Sequence, residues 1–387
     1  MKKIVKLFGL VAMTITLATS CSKDDSPSTP SSTFVPNPAA FQGNINDGVV
    51  SLDASLVYNL TGPLTINDGA TLTIPAGTKI QGTGGTSAYI VVAQGGKINV
   101  NGTATNPVVM TSANATKAPG DWGGLVICGR APINSAVSAS AEVSGLTYGG
   151  TNSTDNSGSI TYLRLEYTGA IYNANKEFNG LSLFGVGSGT VIDYVQIYRS
   201  SDDGVEFFGG TVNTSHIVST FNEDDQFDWT EGWNGTNTYW YGKLGNNIGN
   251  RGIEADNLEA NYAATPIANP TITNLSLIGI SDTGYTGSEQ DAMKIRRGTK
   301  GMFSNVYIEN FTKGFNIEND ETIAFIPTAL KASNVSFINV TSKSSGKNNI
   351  GASVDVSTFF TESATTVNGA GNGAATPTWA QGWTIGL

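Results

Sequence analysis

The densest chemistry in this 387-residue chain sits in two short stretches, "DDGVEFFGG" (Asp202 to Gly210) and "DDQFDWTEG" (Asp224 to Gly232). Shifted by 22 residues they register: Asp202 falls on Asp224, Asp203 on Asp225, Val205 on Phe227, Glu206 on Asp228 and Phe207 on Trp229. Carboxylates gathered this way can serve three ends. They can hold a hard cation such as calcium, which takes about six to eight oxygens from flexible loops, with Asp202, Asp203, Glu206, Asp224, Asp225 and Asp228 as donors. They can pair with Arg251, Lys294 and Arg296 as an exposed salt-bridge ladder of little energetic weight. They can also work as a catalytic group, Glu206, Asp228 and Glu254 beside Lys294 or Arg296 as the proton-removing base, or two acids acting together as in a glycosidase. Neither an EF-hand loop nor a glycine-rich nonapeptide array is present, so no calcium motif decides among them.

Positioning such groups requires a repeating scaffold, and the chain has one. A small-apolar-x-apolar signature recurs as "GLVI" at Gly124, "GLSL" at Gly180, "GIEA" at Gly252, "AMKI" at Ala292 and "GFNI" at Gly314, with the two acidic stretches between. Successive gaps are 56, 24, 22, 26, 40 and 22 residues, and the two long ones leave room for an extra winding or a protruding loop. Upstream of most copies lies a second run, "TYLRL", "DYVQI", "TNLSL", "SNVYI" or "SNVSF". Short alternating runs bounded by Gly, Asn and Thr are strands with one buried face. A period in the low twenties stacks them into a solenoid whose windings bury one another. A β-sandwich leaves the registered offset unexplained.

Parallel windings stack about 4.8 Å apart, so equivalent positions become columns. The column through 206 reads Ser182, Glu206, Asp228, Glu254, Lys294, Asn316, and the one through 203 reads Asn179, Asp203, Asp225, Arg251, Asp291, Lys313. Strand alternation sends Val205, Phe227, Phe207 and Trp229 inward and Glu206 and Asp228 outward. In "FDWTEGWNGTNTYWYG" (Phe227 to Gly242), alternation buries Trp229 and one of Tyr239 and Trp240. The remaining rings either wrap a loop over the winding or stack on sugar rings, with Glu231, Trp233, Tyr239, Trp240 and Arg251 as the ligand-binding set. The lone His216 argues against a His-based triad or a multi-His metal site. Cys128, after "LVI", reads as a small packed residue.

The ends speak to location. "MKKIVKLFGLVAMTITLATS" (1–20) has the basic start, apolar run and small-residue end of a secretory signal. "LATSC" resembles a lipobox, which implies cleavage and acylation at Cys21 and attachment to a membrane through lipid alone. Residues 21–42 are Ser- and Pro-rich and are expected to form a disordered tether ahead of a single β-helix domain over 43–387. Without the three leader lysines, 21 basic residues become 18 against 31 acidic, a net charge of −13. That surface repels phosphates, so no nucleic-acid partner is expected. Beyond Cys21 the only cysteine is Cys128, which excludes an intrachain disulfide.

Several stretches carry resemblances. "CSKDD" resembles the export signal that places Bacteroidetes lipoproteins on the outer face of the outer membrane. "GPLTINDGATLTIPAGTKIQG" (Gly62 to Gly82) resembles the first windings of right-handed parallel β-helices, and "TPTWAQGW", with Trp379 and Trp383, is placed to close the far end. The run "NGLSLFGVGSGTVIDYVQIYRSSDDGVEFFGGTV" (Asn179 to Val212), with "DDQFDWTEGW" and "WAQGW", resembles a family of Bacteroidetes cell-surface lipoproteins with a right-handed, pectate-lyase-like parallel β-helix body. The resemblance implies that all-β fold and a surface location, and transfers no catalytic residue. Two functions stay open: a non-enzymatic surface protein that binds an extracellular glycan or similar ligand, beside an outer-membrane transporter, and a calcium-dependent polysaccharide lyase or glycoside hydrolase.

Overall fold

The computed structural model describes residues 30–174, 176–246, 248–280 and 290–387; Cys21 and the leader lie outside the described residues. Two parallel sheets climb the molecule. One holds eleven short strands from Gly43–Ile45 to Ser342–Lys347, and the other is a fourteen-stranded sheet whose main path runs from Val49–Ser51 to Phe360–Glu362. Each winding adds one strand to each sheet, which makes the chain a parallel β-helix. The inward residues form one continuous apolar core along its axis, from Phe41 to Phe359.

In the first windings a third strand is separate, as Val57–Leu60, Lys79–Gly82 and Val108–Ser112. From Gly158–Glu166 onward it fuses with the second. Gly158–Thr161 pairs with Ile98–Asn101, while Leu163–Leu165 pairs with Val108–Met110. At the junction every later winding places one residue in the left-handed region: Tyr162, Tyr194, His216, Tyr239, Asn274, Asn305 and Asn334, with φ between 48° and 62°. A single such residue turns the corner without a loop, and asparagine tolerates it best. His216 therefore belongs to a column of stacked rings, 4.2 Å from Tyr194 and 4.8 Å from Tyr239, with Nδ1 2.8 Å from Asp193 Oδ1.

The small residue of the repeat has a steric cause. A Cβ on Gly180 would lie 2.3 Å from Ile197, and one on Gly314 would lie 2.6 Å from Phe337. The corner entering the short strand presses on side chains of the other sheet at these windings, whereas Ala292 and the buried Gln226, which accepts from Asn222, fill the equivalent place on two others. Both long gaps prove to be loops: Leu125–Cys128 pairs directly with Leu181–Phe184, and Ile253–Ala255 with Asp291–Ile295. The first loop carries the hairpin of Ala139–Ser140 and Thr147–Tyr148.

Two expectations about the ends change. Part of the expected tether is packed: Ser31 bridges Val49, Thr33 N–H donates to Asp47 Oδ1, and Phe41 is fully buried. The C-terminal segment does not close the far end. It runs back along the flank of the fourteen-stranded sheet, where Val367 N–H bonds Ser336, Ala370 N–H bonds Ser276, and Ile385 N–H bonds Gln196. Trp379 and Trp383 meet the stacked rings edge-on, at 5.0 Å from His216 and 6.1 Å from Tyr194. On that flank the tail's backbone N–H groups meet the acceptors of Ser336, Ser276 and Gln196, and its tryptophans meet the ring column.

Candidate functional site

The outer wall of the eleven-stranded sheet is built as a column. Register partners run Ser182, Glu206, Asp228, Glu254, Lys294, Asn316, one per winding. Backbone bonds at the preceding corner stack Asp203, Asp225, Arg251, Asp291 and Lys313 in the same way. Because Val205 and Phe207 must fill the core, the pleat forces Glu206 outward, and the same holds one winding up for Asp228 between Phe227 and Trp229.

The wall divides by charge. On the upper windings the acids are compensated. Arg251, only 7% exposed, bonds Asp225 Oδ2 at 3.2 Å and also Glu254; Arg296 bonds Glu254 and Asp256; Arg297 bonds Asp256 and Glu259. Lys294 lies 3.9 Å from Glu318. The expected salt-bridge ladder therefore exists, but all of it except the outer Glu259 is largely buried rather than exposed, so breaking its inner pairs strands a desolvated charge.

On the lower windings the acids stand together. Asp203, Glu206 and Asp228 each offer an oxygen within 4.8 Å of the others, and Asp202, Asp203 and Asp224 do the same, sharing Asp203. Among the described residues no ion pair reaches any of these five. Their bonds come from neutral groups: Asn179 Nδ2 donates to Glu206 Oε2 at 2.7 Å, Asn250 Nδ2 to Asp224 Oδ1 at 3.0 Å, and Asp225 N–H to Asp203 Oδ1 at 2.9 Å. Asp228 Oδ1 and Asp225 Oδ1 are buried and receive no donor.

Burial first, and like charge second, disfavour ionisation here. Asp202 is pushed up to about 7 by burial and then by Asp224 and Glu177. Asp225 is also pushed up to about 7 by burial and Asp224, with Arg251 pulling it back. Asp203, Glu206 and Asp228 rise well above the usual carboxylate range, through burial and then through Asp202, Glu142 and Glu206 respectively. Such a set either keeps protons at neutral pH or gathers a cation, and its all-oxygen donor chemistry fits a hard one.

The ligand-binding set does not come together. Trp233 and Trp240 are fully buried. Trp233, after the left-handed Gly232, turns back into the core, stacks on Phe207 at 3.9 Å and donates its indole N–H to Val212 O. Trp240 follows the left-handed Tyr239, which shifts the strand's phase, and its indole bonds Thr214. Tyr239 is held in the ring column against His216 and near Trp379, and Arg251 is committed to the ion-pair network. Only Glu231 faces a cleft, of about 310 Å³, that Glu142, Ser135, Phe208 and Tyr148 also line. The Tyr148 hydroxyl donates to Glu231 Oε2 at 2.7 Å, and burial raises both Glu142 and Glu231. Two further groups act on the acidic wall: Asn179, whose place in the 203 column signals it, and Glu142, which no spacing signals because it arrives on a loop 64 positions before Glu206. Cys128 is fully buried, its thiol pushed up to about 12 by burial, which leaves it inert.

A family model described as a pectate-lyase-like β-helix domain matches residues 43–384. No curated protein matches the chain.

Proposed function

The chain belongs to the family of pectate-lyase-like β-helix domains, and from that premise we propose that it is a lipid-anchored protein of the outer-membrane surface whose acidic wall takes a calcium ion and, with it, an extracellular glycan bearing carboxylates. The observation that carries this reading is the trio Asp203, Glu206 and Asp228, which no ion pair reaches among the described residues and whose oxygens lie within 4.8 Å of one another. A bound calcium supplies positive charge that compensates these acids and attracts a ligand carboxylate. The chain's own part is to hold the acids in register, with Arg296 near enough to Asp228 to act on it electrostatically. The leader, Cys21 and "CSKDD" support anchoring at the cell surface, where an importer would be a neighbouring partner.

Binding is favoured over turnover because both candidate bases are engaged, Lys294 lying 3.9 Å from Glu318 and Arg296 held by two carboxylates. Arg296 is lowered to about 10 by burial and its arginine neighbours, yet it stays protonated at neutral pH and spends its donors on Glu254 and Asp256. Glu206 and Asp228 lie side by side on one wall, whereas glycosidase carboxylates flank the bond they cleave. The test is calorimetric titration of the mature protein with calcium, followed by a panel of uronate-rich glycans with and without chelator. Calcium-dependent binding without new unsaturated or shortened product is expected. No heat with calcium overturns the cation, and product formation overturns the binding role.

A further inference from the structure

A second cleft, of about 1050 Å³, shares no lining residue with the acidic wall and opens where the fourteen-stranded sheet ends and each winding turns toward the next, three residues ahead of Asp202 and Asp224. Its position follows from the ladder. Arg199 N–H bonds Thr220 O, Phe221 N–H bonds Lys243 O, and Leu244 N–H bonds Ile278 O, so Arg199, Phe221 and Leu244 stand on successive windings about 4.8 Å apart. Arg199 and Phe221 both have left-handed backbones, with φ of 59° and 61°, which turn the chain out of the strand at that corner. Leu244, Ile248, Ile278 and Ile280 add apolar lining.

Two cations line this cleft in a chain of net charge −10. The Lys243 ammonium lies 5.8 Å from the Phe221 ring centroid. The Arg199 guanidinium lies 5.6 Å from the Tyr198 ring, and its Nε donates to the Tyr198 hydroxyl at 3.2 Å. Among the described residues neither forms an ion pair. Glu309, adjacent to the lining Asn310, is taken by the Tyr307 hydroxyl and the Asn310 amide. Aromatic faces stabilise a cation only modestly, so a carboxylate or sulfonate entering the cleft gains two unspent charges. An apolar body gains the isoleucine and leucine wall.

We propose that this cleft binds a small organic anion with an apolar body, an alkyl or aryl carboxylate or sulfonate, its head drawn by Arg199 and Lys243 and its body laid against Phe221, Leu244 and Ile280. The site is independent of the calcium reading, since it has the opposite sign and uses none of the same residues.

Fluorescence titration of the mature protein with 1-anilinonaphthalene-8-sulfonate, beside its uncharged relative N-phenyl-1-naphthylamine, tests it. Saturable one-to-one binding of the sulfonate is expected, weakened at least tenfold in R199A/K243A, with the uncharged relative binding weakly and equally to both proteins. Melting curves establish that the double variant is folded, and K243M, which keeps the lysine stem without its charge, should show an intermediate loss. Equal sulfonate affinity in the wild type and both folded variants overturns the proposal, as does an uncharged relative that binds as tightly as the sulfonate.

Discussion

Glu206 and Asp228 are register partners on adjacent windings of one outer wall, and Asp228 Oδ1 is buried without a donor. One winding higher, Glu254 carries two arginines. The same column thus changes from uncompensated to compensated within one step of the helix.

Calcium at about one hundred times its dissociation constant should stabilise the fold by about 2.7 kcal/mol. The variant E206Q keeps an acceptor for Asn179 but cannot ionise. It should be more stable than wild type without calcium, by roughly 1 kcal/mol, and so melt higher, and it should lose most of the calcium response. Scanning calorimetry with calcium and with chelator reads both effects, and an identical chelator curve for the two proteins would count against the site.

Without divalent cation, stability should fall as pH rises from about 4 to 8. The folded-state values of Asp202 and Asp225, about 7, and of Asp256, about 6, lie above that of an unfolded aspartate. The folded form therefore binds more protons than the unfolded one across that window, and raising the pH strips them at the expense of the fold. Calcium should flatten the slope. Melting temperatures at half-unit pH steps, in chelator and in calcium, provide the comparison.

Substitution R251A should destabilise by about 3–5 kcal/mol, because it leaves Asp225 buried without its cation and takes from Glu254 one of its two arginines. Denaturant unfolding measures it. An exposed salt-bridge ladder would lose less than about 1 kcal/mol.

Trp233 distinguishes a core ring from a sugar platform. W233A should cost about 3–5 kcal/mol, as for other buried large-to-small changes, and leave glycan binding of the remaining folded protein unchanged. A melting temperature equal to wild type, with glycan binding lost, would return Trp233 to the surface.

Truncation after Glu362 removes the tail from the aromatic flank. The body should stay a β-helix by circular dichroism yet melt several degrees lower, since fully buried Trp383 leaves with the segment. A tail that contributes nothing would leave the melting temperature unchanged.

The sequence by itself determined the winding. A registered 22-residue offset with alternating apolar residues admits one way of burying them, and it placed Glu206, Asp228 and Glu254 in one column because pleat and strand spacing are backbone properties. Only the tertiary structure decided how wet that column is, which cations reach it, and where rings outside the strands point. A single left-handed residue at Tyr239 shifts the phase that buries Trp240, the left-handed Gly232 sends Trp233 inward, and loops remote in sequence bring Glu142 to Glu206. Periodicity is carried by neighbours along the chain, whereas burial and charge compensation depend on segments that meet only after folding.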